Sequence, residues 1–178
     1  DYKELLKKFT DEVMVIVDLK QLVQMTVNTL TETVKLDSCS LLLLNKDTRT
    51  YELVAGKGPD GRQLVLNEQE PFVTFLRETH EPIGTEGSLG KVRFPAEVNE
   101  RLKQLKARLC LPLTLHDDLI GMLCLGKKKS DEEFTKDDLD ILQPLARTLA
   151  IAVANAQLFD ELSKTQAEAA QREKLAVI

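Results

Sequence analysis

Tryptophan is absent and aromatic residues make up only 4% of the chain, so its core must be built from aliphatic side chains. Histidine is equally scarce. His80 and His116 are the two present, and neither has a partner at ligand spacing, which argues against an imidazole-based metal site. The three cysteines, Cys39, Cys110 and Cys124, form no CxxC pair. A low, odd count without close pairs fits a reducing compartment, and each cysteine sits in an apolar run where a free thiol acts as a small hydrophobe. Positive charge is not in excess either. The net charge of −5 argues against nucleic acid or an anionic membrane as the main partner. The chain opens Asp1-Tyr2-Lys3-Glu4 with no apolar leader. Its most apolar long window, Leu145 to Ala156, holds Arg147 and Asn155 and is too short to span a bilayer. The expectation is a soluble, cytoplasmic chain making no direct membrane contact, whose parent protein is free to carry an anchor.

What the chain does have is enough apolar surface for one ordinary domain, with 43% hydrophobic residues in 178. Over residues 1–36, Leu5, Phe9, Val13, Ile16, Leu19, Leu22, Val23, Val27, Leu30 and Val34 recur at helical spacing with no Gly or Pro between them. This predicts one long helix, or two collinear helices broken near Val17 to Lys20. The period then shortens. Cys39 to Leu44 and Tyr51 to Ala55 are compact apolar runs around a polar turn, which reads as a β-hairpin. Residues 57–62 read as a Gly-Pro-Asp-Gly loop.

The middle is mixed. Glu70 to Thr79 predicts a short helix, with Pro71 in its first turn and Phe72, Phe75 and Leu76 as its apolar stripe. A Gly-rich loop over Glu81 to Gly90 leaves room for one short strand at Pro82 to Gly84. A second helix over Glu97 to Lys106 points Val98, Leu102 and Leu105 inward and Arg101, Lys103 and Lys106 outward. Arg108 to Leu115 and Leu119 to Lys127 form a second hairpin turning at His116, Asp117 and Asp118. Pro112 lacks a ladder donor, so a bulge or an unpaired edge is expected there.

After the charged loop Lys127 to Glu133, Thr135 can cap a helix with Asp138 as the return arm and Phe134 stapling onto Leu139. That helix runs to the chain end. Its one flaw, Pro144, removes a donor and crowds the carbonyl of Asp140, at a cost of about 3 kcal/mol unless a kink relieves it. Two hairpins between two long helices imply an α+β fold: an antiparallel sheet of about five or six strands, the terminal helices on one face and the short helices and loops as a lid on the other.

The series Leu109-Cys110-Leu111-Pro112-Leu113, then Leu119-Ile120-Gly121-Met122-Leu123-Cys124-Leu125-Gly126, then Phe134-Thr135 with Asp137-Asp138-Leu139, then Ala150 to Phe159, resembles a GAF domain over residues 20–160. The run Ser38 to Leu44 and Glu81-Pro82-Ile83 are similar in style. The resemblance implies a central antiparallel sheet and a small-molecule pocket under a variable lid. The tail, Leu158 to Leu162 and Gln171 to Ile178, resembles the lead-in helix of a bacterial sensor histidine kinase. It implies a two-component context in which residues 1–36 hold a linker and the first domain helix, and residues 160–178 connect to an output domain. A c-di-GMP enzyme or an ATPase output is the alternative.

Cyclic-nucleotide GAF domains carry an Asn-Lys, Phe, Asp-Glu signature; here Lys127-Lys128-Lys129, Phe134 and Asp137-Asp138 stand in its place, and the Asn is missing. Covalent bilin attachment and sulfoxide reduction both need exposed or mobile cysteines, which this chain does not offer, so the chain is expected to be non-catalytic with no cofactor evident. His116, Asp117 and Asp118 read as a polar turn rather than a catalytic group. Ligand-pocket candidates are Phe72, Phe75, Leu76, Arg93 and Phe94, where Arg93 can clamp an anionic or planar ligand; the bland reading makes the phenylalanines core and Arg93 solvated. On the last helix, Leu142, Leu145, Leu149, Ala152, Ala156, Phe159 and Leu162 recur at three- and four-residue steps. Part of that stripe covers the sheet. The rest predicts a homodimer through the terminal helices, carrying the state of a ligand or partner to an output, or else a structural dimerisation spacer without a ligand.

Overall fold

The computed structural model describes residues 2–57 and 64–176. From Gly58 on, the expected Gly-Pro-Asp-Gly loop lies outside them. Helix α1 (Tyr2–Val13) and helix α2 (Leu19–Leu30) come first, followed by a π-helical turn, Thr31–Lys35. They are neither one helix nor collinear. Asp18 starts α2 afresh, its carboxylate accepting from the Lys20 N–H at 3.0 Å, and α1 packs against the π-turn at the far end of α2. The chain therefore doubles back at residues 14–18. Helical periodicity reports each stripe but not the direction of the next helix, and so it concealed the reversal.

Strands β1 (Cys39–Asn45), β2 (Thr50–Lys57), β3 (Val65–Asn67), β4 (Ile83–Gly84), β5 (Leu109–Leu115) and β6 (Asp118–Leu125) form one sheet in the order β3-β2-β1-β6-β5-β4. Every neighbouring pair is antiparallel. Helix α3 (Pro71–Thr79) begins on its proline as expected, and α4 spans Ala96–Gln104. Helix α5 runs Lys136–Ala176 through Pro144 without a break. The β5–β6 turn is tighter than the sequence suggested. His116 and Asp117 carry it with φ of 51° and 70°, the geometry of a two-residue hairpin turn, and Asp118 already belongs to β6.

The strands read as unbroken apolar runs because both faces of the sheet are covered. Leu41, Leu43, Leu109, Leu111, Leu113, Leu123 and Leu125 join α1, α2 and α5 in one core. Leu42, Cys110, Met122 and Cys124 join α3 and α4 in the other. Gly121 is required between β1 and β6, since a Cβ there would overlap the Leu42 carbonyl oxygen. Pro112 pairs with Met122 on β6. On its other side β4 covers only Leu109 and Cys110, so from Leu111 onward the outer edge of β5 has no partner strand among the described residues. The bulge falls one step later, between Leu113 and Thr114. No helix among the described residues is long and apolar enough to cross a membrane.

Candidate functional site

On the lid face, Phe72 and Leu76 are fully buried between α3 and the sheet. Phe75 and Phe94 are half-buried and meet edge to face, with centroids 5.2 Å apart at 87°. Arg93 points to solvent. Val98, Leu102 and Leu105 face inward as expected. Arg101 does not face outward with Lys103 and Lys106. Its guanidinium grips both oxygens of Glu70, at 2.6 and 3.0 Å, and so ties α4 to the start of α3. An outward position on a short helix becomes a clamp when an acid from a neighbouring helix comes within reach, which no local pattern encodes. Tyr51 closes the same layer by donating its hydroxyl to the Leu119 carbonyl at 2.7 Å.

Under this lid the Cys110 and Cys124 thiols touch across β5 and β6, sulfur to sulfur 2.9 Å. Burial pushes the Cys39 and Cys110 thiols far above their ordinary range, and the neighbouring Cys124 adds to the effect. At neutral pH they are protonated hydrophobes.

The residues standing where a cyclic-nucleotide signature would fall have a structural job. The Lys128 ammonium reaches Asp138 Oδ2 at 2.7 Å and lies 5.2 Å from the Phe134 ring centre. Asp138 accepts from the Thr135 N–H at 2.8 Å, and its own N–H donates to Thr135 Oγ1 at 3.2 Å, the reciprocal cap read in the sequence. Glu86 completes the junction by accepting from the Phe134 N–H at 2.8 Å while pairing with Arg108. Phe134 belongs to the helix-side core. The cluster therefore locks α5 to the sheet, on the face opposite the lid.

A cleft of about 650 Å³ opens where Lys103, Lys106, Arg108 and Lys127 converge with Asp37, Ser38, Thr85 and Asn99. Arg108 pairs with Glu86 and Lys127 with Asp131. A smaller notch of about 170 Å³ lies on the free edge of β5, with His80, Pro112, Thr114, Gln143 and Arg147 in its wall. Sequence reasoning missed it, because its residues come from three elements and share no spacing. Among the described residues, no group of three or more His, Cys, Asp or Glu side chains is placed to hold a metal.

Along α5, Leu142, Leu145, Leu149, Ala152 and Ala156 are buried in this chain's own core. Phe159 and Leu162 are 53% and 56% exposed. The stripe thus divides as expected, its first part covering the sheet and Phe159 and Leu162 lying free, and the exposed apolar surface of α5 is wider than the stripe. It comprises Ile151, Leu158, Phe159 and Leu162, beside a groove of about 630 Å³ shared with Val17, Leu19 and Val54.

Comparison with known proteins adds family context. The family model described as GAF domain matches residues 18–155. Diguanylate cyclase A of Treponema denticola is 26% identical over 122 residues, covering 68% of this chain and 31% of that protein. The dual 3',5'-cyclic-AMP and -GMP phosphodiesterase 11A of Takifugu rubripes is 28% identical over 137 residues, covering 69% of this chain and 15% of its own length. The chain thus spans under a third of these relatives. Among solved structures, the GAF domain of a Coxiella burnetii phosphoenolpyruvate-protein phosphotransferase superposes with a TM-score of 0.66 at 22% identity, over 90% of this chain and 96% of that one. The GAF domain of the Acinetobacter phosphoenolpyruvate-protein phosphotransferase gives 0.65 at 19%, over 87% and 93%. The phycocyanobilin-bound GAF domain of a cyanobacterial phytochrome gives 0.63 at 15%, over 89% and 96%.

Proposed function

The chain belongs to the GAF domain family, and on that premise we propose that it is a non-catalytic sensory module of a multidomain signalling protein. In this reading it binds a small molecule under the lid near Phe72, Phe75, Leu76, Arg93 and Phe94, and passes its state along α5 in a homodimer. The observation that carries the proposal is α5 itself. One continuous helix of 41 residues packs into the sensor core up to Ala156 and then projects with an apolar face exposed. An isolated helical tail of this kind is marginal in water and gains from a partner.

The ligand half is tested by thermal shift with a panel of small metabolites that includes cyclic AMP and cyclic GMP. A rise in melting temperature with one of them supports the sensor. A flat response across the panel leaves the dimerisation spacer as the better account. The dimer half is tested by light scattering on the wild type and on Leu158→Glu with Leu162→Glu. A wild-type dimer that becomes monomeric in the double variant supports pairing through α5; a wild-type monomer at high concentration rejects it.

For the parent we infer a sensor histidine kinase, on the resemblance of the tail to a kinase lead-in helix. The likeness to a diguanylate cyclase favours the second reading, a cyclic-dinucleotide output. The coding sequence beyond Ile178 decides between them. A phosphoacceptor-histidine helix supports the first, a cyclase domain supports the second, and a stop codon sinks both.

A further inference from the structure

The notch on the free edge of β5 gathers polar side chains from three elements. Thr114 comes from β5, His80 from the end of α3, and Gln143 and Arg147 from α5. Thr114 Oγ1 is buried and has no hydrogen-bond partner among the described residues. A buried orphan hydroxyl is a standing cost to the fold unless something fills the space beside it. The Arg147 guanidinium, the Gln143 amide and the His80 ring share this wall and have no carboxylate or carbonyl partner among the described residues, whereas Arg49, Arg77, Arg101 and Arg108 all do. The convergent side chains are rich in donors, and the wall carries no carboxylate. Pro112 and Leu111 supply an apolar side. The main chain of β5 is bare of a partner strand here.

We propose that this notch is a binding site for a small aliphatic carboxylate. Its carboxylate lies against the planar fork of Arg147, which matches that geometry with two parallel N–H donors. The Thr114 hydroxyl and the Gln143 amide complete the shell, and a short apolar stem rests on Leu111 and Pro112. A space of about 170 Å³ admits a handful of heavy atoms rather than a nucleotide. The site has a direct mechanical link to α5. Gln143 and Arg147 flank Pro144, the position where the helix lacks a backbone donor, so an occupant joins the sheet edge to α5 at its weakest turn. The proposal deepens the sensory reading by naming a ligand class at a second place, but it stands on the notch's own geometry. A silent metabolite screen at the lid leaves it intact.

The test is a two-dimensional amide NMR titration of the whole chain with sodium propionate, with propionamide and inorganic phosphate as comparisons at matched ionic strength. Saturable shifts at Thr114, Gln143 and Arg147 with propionate, but not with the other two, are expected. Arg147→Gln, an exposed position that does not threaten folding, should weaken propionate about tenfold or more. Thr114→Val should weaken it as well, and should raise the melting temperature of the ligand-free protein by removing the orphan hydroxyl. Equal response to propionamide or phosphate, no saturable shift, or unchanged affinity in Arg147→Gln would each overturn the assignment.

Discussion

Lys128 and Asp138 face each other where burial works against both charges. Burial raises the Asp138 carboxyl above its ordinary value, restrained by the Thr135 N–H, and lowers the Lys128 ammonium against the pull of Glu132 and Glu86. Their 2.7 Å contact opposes both shifts. Removing one partner strands the other. Lys128→Met should cost about 3–5 kcal/mol in urea unfolding, and adding Asp138→Asn should restore most of it. The pH response of the single variant follows from the sign. A carboxyl whose folded pKa is raised favours the folded state under acid and loses that contribution as pH rises. Lys128→Met should therefore regain stability relative to wild type as pH falls from about 7 towards about 4. The thiols give a second residue-level expectation. Raised by burial, Cys39 and Cys110 should react with iodoacetamide no faster than the protein opens, followed by mass spectrometry. At this scale the sequence is legible where chemistry is local: the Thr135–Asp138 cap spans three residues and shows as a motif. Lys128 completing that cap from another segment was not visible, nor was Arg101 closing on Glu70, because each pairing crosses elements.

Helices and strands show the same division. The two hairpins, the proline start of α3 and the cap of α5 declare themselves through turn chemistry and period. The reversal between α1 and α2 does not, since each helix keeps its own apolar stripe whichever way it runs. Short β4 falls within the Pro82 to Gly84 stretch, and its two residues explain why Pro112 is tolerated: the edge it would otherwise weaken is already open. The lid candidates were harder to resolve. Apolar residues that line a pocket and apolar residues that fill a core carry the same pattern, and burial places Phe72 and Leu76 deepest of the five. Strand packing supplies the element-level prediction. Gly121→Ala forces a methyl against the Leu42 carbonyl and the Leu43 side chain. It should destabilise by about 1–3 kcal/mol, read by thermal melting, with the loss concentrated in amide protection along β1 and β6.

For the whole molecule the decisive contrast lies along α5, buried to Ala156 and exposed from Leu158. The described residues from Lys164 to Ala176 are all exposed, so deleting residues 165–178 should change the stability of dilute, monomeric protein by no more than about 0.5 kcal/mol. A larger loss in calorimetry would mean that the tail folds back on the domain. The lack of glycine announced the length of this helix and the stripe included Phe159 and Leu162, but that Ile151 and Leu158 also stay uncovered was not legible. That depends on how α1 lies against α5, which is a tertiary fact. An unbroken helix also transmits azimuth. Each residue turns the axis by about 100° and advances it about 1.5 Å, so whatever is grafted behind Ala176 inherits its bearing from the residue count. Inserting one residue into the exposed tail would swing a fused reporter about a quarter-turn or more around the axis, whereas inserting seven would bring it back to within about 20° of its first bearing.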